Sequence, residues 1–339
     1  MRFLIVGFGF MGQTHCGNLL KMPGCEVAGI VDPVPPLERL RTVKGNLPTV
    51  SVDAEAVKKI PHCTDLDAAL ETLEADAAVI CLPTFLHEKG TLAALARGLH
   101  VFVEKPFALT EESCRRMIGL AAEKKLLIAV GYVVRASSVY AFLRETAASG
   151  RLGRLKFLQL RRTTGFPAWG NWKDPATVAA VGGSLFDLVS HDIDFARFVL
   201  GDPEKITVDP FVSGEFDGNY TAAAMHYKQT LVSVEGGFVT PPGFPFSSSY
   251  RAFFEKGTLT GDSEGRCLEY DPYGRCHAVD VPPCDPYFEE MRRFADAVSG
   301  KGDPVCTGVD AAKTVCCCNE IRRQLAEWEN DREPYSKRS

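Results

Sequence analysis

Lys105 closes the run Val101-Phe102-Val103-Glu104-Lys105-Pro106, and a second ionisable group follows much later in Gly182-Gly183-Ser184-Leu185-Phe186-Asp187-Leu188-Val189-Ser190-His191-Asp192. A fixed ammonium can hydrogen-bond a reacting oxygen and stabilise negative charge as it develops. An imidazole titrates near neutrality and can take an alcohol proton, while a carboxylate one helical turn away can orient it or bind a neighbouring hydroxyl. Lys105, His191 and Asp187 are therefore the groups needed to move a hydride off an alcohol. Each also has an ordinary reading: Lys105 as a solvated lysine beside Glu104, and Asp187 with His191 as an i,i+4 pair on a helix surface. Leu185, Phe186, Leu188, Val189 and Ile193 favour a mostly buried helix instead, where an unpaired acid and histidine would be costly. Gly182-Gly183 lets backbone approach a ligand closely, and Pro106 forces Lys105 into an extended conformation.

Such groups need a hydride carrier, and the start of the chain supplies a loop for one. Gly7-Phe8-Gly9-Phe10-Met11-Gly12 directly follows the strand-like Arg2-Phe3-Leu4-Ile5-Val6. Gly7 permits a tight turn, Gly9 lets backbone amides approach a pyrophosphate, and Gly12 lets the following helix pack on the strand. With 30 glycines in 339 residues, the spacing alone arises by chance roughly 0.2 times per chain. Its place at a strand-to-helix boundary makes it specific. Asp32 ends the next strand, where a carboxylate would accept hydrogen bonds from an adenosine ribose; the alternative is a residue that merely begins the turn Asp32-Pro33. An acid there repels a 2′-phosphate, which favours NAD over NADP, while Arg39 and Arg41 leave that preference open.

The elements that must position these groups alternate at short intervals. Apolar runs at 3–6, 27–31, 77–81, 101–103 and 126–130 read as buried parallel strands, with amphipathic stretches between them. Thr110 begins one such helix, its hydroxyl placed to accept from the residue-113 amide. Residues 1–130 are therefore expected to form an N-terminal Rossmann domain, a doubly wound parallel sheet. Residues 131–339 then read as an α/β substrate and oligomerisation domain. A helix near 139–148 leads to a strand at 155–164 and a helix at 184–200. Strands at 206–208, 222–227, 230–234, 250–254 and 258–260 imply an open, mostly antiparallel sheet, followed by helices at 286–298 and 309–328.

Bulk properties narrow the partners. The chain is 45% hydrophobic and 24% charged with a formal net charge of −5, which suits a two-domain globular protein. No basic block marks a nucleic-acid or anionic-membrane surface. No signal peptide and no bilayer-length apolar run are read, so a cytoplasmic protein acting on a small molecule is expected. The twelve cysteines include no Cys-x-x-Cys pair, and Cys316-Cys317-Cys318 must point around a helix; reduced structural thiols and no metal site are expected.

In this order the pieces resemble the glucose-fructose oxidoreductase, inositol dehydrogenase and rhizopine catabolism family, Gfo/Idh/MocA. The resemblance rests on Gly7-x-Gly9-x-x-Gly12, Cys81-Leu82-Pro83-Thr84-Phe85-Leu86-His87, Glu104-Lys105-Pro106, Gly182-Gly183-x-x-x-Asp187-x-x-x-His191-Asp192, and a Pro286-Tyr287 helix before Val309-Asp310-Ala311. It covers nearly the whole chain, is specific for the family and says little of the substrate. It implies an oxidoreductase with Lys105 at the reacting oxygen, His191 as general acid/base and Asp187 as substrate-side acid. It also places Phe8, Phe10, Met11, Pro33, Cys81, Leu82, Pro83, Thr84, His87, Glu104 and Trp172 beside the cofactor, and Tyr132 and Arg135 at the substrate. His87 has a lesser second reading as a turn-stabilising helix end, and Trp172 reads equally as a core residue. Val189 stands where many relatives have glycine, which would narrow the pocket, and the last helix is expected to pack back on the first domain. A homodimer or homotetramer is expected through the open sheet.

The reaction read from these residues is reversible oxidation of a secondary alcohol on a sugar, sugar derivative or cyclic polyol. A dinucleotide-dependent sugar sensor and an NAD-assisted glycosidase are the alternatives. No basic cluster marks a sugar-phosphate pocket: Arg135, Arg161, Arg162 and Lys173 read as surface or strand-edge residues.

Overall fold

The computed structural model describes residues 1–43, 52–167, 174–215, 219–241 and 244–336. They gather into two units, Met1–Ala136 with Asp285–Ala312, and Ser137–Cys284 with Lys313–Ser339.

In the first unit, β1 (Arg2–Val6), β2 (Glu26–Val31), β3 (His62–Cys63), β4 (Ala77–Ile80), β5 (His100–Val103) and β6 (Ile128–Val130) form a parallel sheet in the order β3-β2-β1-β4-β5-β6. Phe3, Ile5, Ala77, Val79 and Val101 have no accessible surface, which is why their strands are uninterrupted apolar runs. The order reverses between β1 and β4, and in such sheets ligands bind beyond the carboxyl ends of the strands at that point. At this edge Gly7 to Gly9 lead into α1 (Phe10–Leu19), whose third residue is Gly12, and Glu104 and Lys105 follow β5. β3, two residues at the sheet edge, has no apolar run to announce it. Helices α2 (Pro36–Thr42), α3 (Ala54–Val57), α4 (Leu66–Thr72), α5 (His87–Ala96) and α6 (Glu111–Lys124) complete the winding. Thr110 caps α6 as its sequence implies, its Oγ1 accepting the Ser113 N–H at 3.2 Å.

The second unit carries α7 (Ser138–Ser149), α8 (Pro175–Val181), α9 (Ser190–Leu200) and α10 (Pro210–Glu215). Its sheet comprises β7 (Leu155–Gly165), β8 (Lys205–Val208), β9 (Tyr220–Tyr227), β10 (Thr230–Thr240), β11 (Ser247–Phe254), β12 (Gly257–Asp262), β13 (Cys267–Tyr270) and β14 (Cys276–Ala278). Their order is β14-β13-β12-β11-β7-β10-β9-β8. Every neighbouring pair is antiparallel except β10 with β7, so the expected mostly antiparallel sheet is what forms.

The observed units are not the two continuous segments read from the sequence. Residues 131–136 and 285–312 gather with the first. The cause is α11 (Pro286–Val298), whose Met291 and Phe294 are fully buried in one core with Phe3, Ile5 and Phe102. Asp285 caps this helix by accepting the Tyr287 and Phe288 amides, with Pro286 at its first position. The Cys306 carbonyl then accepts the Val130 N–H at 3.0 Å, extending the sheet by a backbone contact. The final helix, α12 (Gly308–Ser336), has its larger part in the second unit. No helix among the described residues is long and apolar enough to cross a membrane.

Candidate active site

In the first unit, the glycine loop has the shape its residue types require. Gly7 has φ +90°, and a Cβ added there would lie 2.6 Å from the Cys81 carbonyl oxygen. A Cβ on Gly12 would fall 2.0 Å from the Gly7 oxygen, whereas one on Gly9 would meet nothing within 4 Å. Gly7 and Gly12 thus close the turn against the protein, and Gly9 leaves open space. Gly9 is also the N-cap of α1, with no side-chain cap. First-turn amides and the positive helix end consequently face that space, and a dinucleotide pyrophosphate fits it.

Asp32 is 3% exposed at the end of β2. Its Oδ2 accepts the Phe8 N–H at 2.8 Å; its Oδ1 accepts the Val34 N–H at 2.9 Å and Arg39 Nε–H at 2.8 Å. The carboxylate therefore ties the glycine loop to α2 while keeping acceptor capacity. Pro33 beside it is exposed, Phe8 is buried, and Phe10 and Met11 are half-buried.

After β4, Cys81, Leu82 and Thr84 are half-buried and Pro83 is exposed in a short turn leading to α5. His87 opens α5 and is 1% exposed. Its Nδ1 lies 2.8 Å from the Pro106 carbonyl oxygen and its Nε2 2.8 Å from that of Leu82. Burial lowers its pKa, against these carbonyls. His87 is thus a clasp between the loops that follow β4 and β5.

Lys105 is half-buried, and its peptide bond to Pro106 is cis. Glu104 is 7% exposed, and its Oε2 accepts the Lys105 amide N–H at 3.2 Å. Tyr132 is 1% exposed, and Arg135, 4% exposed, forms an ion pair with Asp310. That pairing gives Arg135 a structural task of its own.

In the second unit, Gly182 ends α8 in the left-handed region, at φ +86°. The chain then makes a π turn over Leu185–Val189 before α9. Such widened turns recur at functional sites because they re-aim side chains. Between residues 184 and 191 every residue is buried except Asp187 and His191, which are half-buried. The Ser190 hydroxyl donates to the Phe186 carbonyl at 2.6 Å across the turn.

One expectation changes here. Arg162 is not a surface residue: it is 5% exposed and holds the buried Asp192 through two hydrogen bonds at 2.8 and 3.0 Å. Burial raises the Asp192 pKa, against the charge and hydrogen bonds of Arg162. Val189 is fully buried, with Cγ2 3.3 Å from where a Cβ on Gly236 would stand. Arg161 is exposed, while Trp172 and Lys173 lie outside the described residues.

Sequence reasoning also missed a buried group in the first unit: His15 on α1, Glu104 after β5 and Glu290 on α11. The signal available was His15 three residues after Gly12 and Asn18 three further on, both polar on a helix that must pack against the sheet.

Residues 1–132 match the family model described as "Oxidoreductase family, NAD-binding Rossmann fold", and residues 140–260 match "GFO/IDH/MocA C-terminal domain". An inositol 2-dehydrogenase from an Arthrobacter species is 29% identical, covering 94% of this chain and 91% of its own. One from Streptomyces avermitilis is 33% identical, covering 86% and 82% respectively. Among solved structures, UDP-N-acetylglucosamine 3-dehydrogenase from Acidithiobacillus ferrooxidans superposes with a TM-score of 0.79 at 22% identity, covering 96% and 97%. That last likeness shows the fold.

Proposed function

The chain belongs to the Gfo/Idh/MocA family of NAD-binding oxidoreductases, and from that premise we propose that it oxidises a secondary alcohol on a cyclic polyol, sugar or sugar derivative, reversibly. The relatives named inositol 2-dehydrogenase favour a cyclic polyol. NAD, when bound, supplies the acceptor for the hydride. Gly7, Gly9 and Gly12 hold its pyrophosphate with the amides of α1, and Asp32 its ribose hydroxyls. Lys105 hydrogen-bonds the reacting oxygen and stabilises its developing negative charge. His191 takes the hydroxyl proton and returns it in the reverse direction, while Asp187 orients the imidazole or a neighbouring hydroxyl.

The observation that carries this reading is that Asp187 on the π turn and His191, two residues beyond it at the start of α9, are the half-buried members of an otherwise buried stretch. A buried stretch in which an acid and a histidine keep part of their surface accessible can offer both groups to a substrate. Incubation with inositols, sugars, sugar phosphates and nucleotide sugars, with NAD or NADP, tests it through reduced-nicotinamide absorbance. Released aglycone with unchanged absorbance would show glycoside cleavage instead. Sugar binding without either reaction would make the protein a sensor.

The same reading includes a second copy on the open sheet. Leu231 and Phe253 both pair with Phe157 across β7. Leu231 is 40% exposed and Phe253 37%, which leaves an apolar row for a homodimer or homotetramer to cover.

A further inference from the structure

His15, Glu104 and Glu290 bring one nitrogen or oxygen atom each to within 4.8 Å of one another, although they come from three separate elements of the first unit. They are 0%, 7% and 1% exposed. His15 Nε2 lies 2.7 Å from Glu104 Oε1, and the edge of the His15 ring meets Phe102 with centroids 5.0 Å apart. Both oxygens of Glu290 and Nδ1 of His15 are buried without a hydrogen-bond partner. Two carboxyls and one imidazole in so dry a place are electroneutral only when at least one carboxyl keeps its proton.

We propose that Glu290 is that proton holder and a positioning residue: as the neutral acid it leaves Glu104 to pair with His15 and to hold the Lys105 amide. Once ionised, Glu290 would repel Glu104, and the displaced carboxylate would release the backbone of the lysine. Burial raises the Glu290 pKa well above the ordinary carboxylate range, with the charges of Glu104 and Asp285 adding to it. Among the described residues, the ionisable groups around the cluster are His15 and Cys16 from α1, Cys81 after β4, Glu104 after β5, Tyr287 and Glu290 on α11, and Asp285 capping that helix. A bound metal explains the geometry less well. An ion needs bonds of about 2.0–2.2 Å to each ligand, so His15 and Glu104, already at hydrogen-bond distance, would have to part.

The consequence for turnover rests on the role proposed for Lys105, so the experiment separates the two. Infrared difference spectra of the full chain between pH 6 and 10 should show a protonated-carboxyl band that persists above neutrality and is absent from Glu290→Gln. Loss of that band by pH 6 in the wild type, or its survival in the variant, overturns the assignment of the proton. Glu290→Gln mimics the neutral acid. It should keep kcat within about twofold of wild type at pH 7 and hold it at least tenfold better at the alkaline end, at unchanged KM for NAD. Superimposable pH profiles from two folded proteins overturn the positioning role. Should Glu290→Gln fail to fold, His15→Gln, which keeps a donor toward Glu104, should retain at least about tenfold more kcat than His15→Phe; equal rates overturn the role. Activity lost on chelation and restored by zinc would make the cluster a metal site and overturn the proposal. Retained turnover in Lys105→Met would remove the lysine's role while leaving the infrared result intact.

Discussion

Arg162 reaches from β7 to Asp192 and donates two hydrogen bonds to it, Nε at 2.8 Å and Nη2 at 3.0 Å, fixing the residue that follows His191. Both partners are buried, so removing one strands the other's charge. Arg162→Met or Asp192→Leu alone should cost about 3–5 kcal/mol of unfolding free energy in urea titrations. The double variant should recover a large part of that loss. A double variant as unstable as the sum of the singles would show that the pair is not the unit that matters.

Lys105→Met and His191→Asn should each lower kcat by about 10²-fold or more. Their affinities for NAD, followed by fluorescence titration, should stay within about threefold of wild type, because the pyrophosphate is assigned to the glycine loop. Wild-type turnover in both variants would remove the proposed chemistry.

Asp32 accepts from Phe8, Val34 and Arg39. Replacing it with serine removes a negative charge from a place assigned to the ribose and releases the Arg39 guanidinium. The ratio of kcat/KM for NADP over NAD should rise by about tenfold or more. An unchanged ratio would place cofactor choice elsewhere.

His87 carries a pH dependence with a definite sign. Its pKa is lowered in the folded protein by burial, so folding prefers the neutral ring. That stability is fully present above the unfolded value of about 6.5 and is lost as pH falls through the window below it. Melting temperatures of the wild type should therefore fall more steeply from pH 7 to 5 than those of His87→Gln. Parallel slopes would mean that His87 takes its proton without penalty.

Phe253 and Leu231 are the exposed ends of an apolar row on the second sheet. Phe253→Glu should place a charge in any contact that covers the row and shift light-scattering mass toward the monomer. An unchanged mass would move the contact elsewhere.

Much of this architecture is legible in the chain because its physical causes are local. The apolar runs at 3–6 and 77–80 are strands buried on both faces, and Thr110 caps its helix through a neighbouring amide. Gly7 and Gly12 declare themselves by their spacing. What stays hidden depends on partners far away in sequence. Nothing near Arg162 announces Asp192, and nothing near Glu290 announces His15. Nothing near Arg135 announces its ion pair with Asp310. The π turn is also invisible beforehand, since Leu185 to Val189 suits an ordinary helix.

The chain leaves the first unit after Ala136, returns at Asp285 and departs again after Ala312. A gene fragment ending at residue 136 would therefore encode a nucleotide-binding sheet without Met291 and Phe294, two of its buried side chains. Recombination between relatives meets the same rule. One splice near residue 136 replaces α11 along with the second unit, so a chimera that keeps its own core needs two more junctions, near residues 284 and 312. Grafting residues 137–284 alone is the exchange that would leave the first unit, with its dinucleotide-binding sheet, intact.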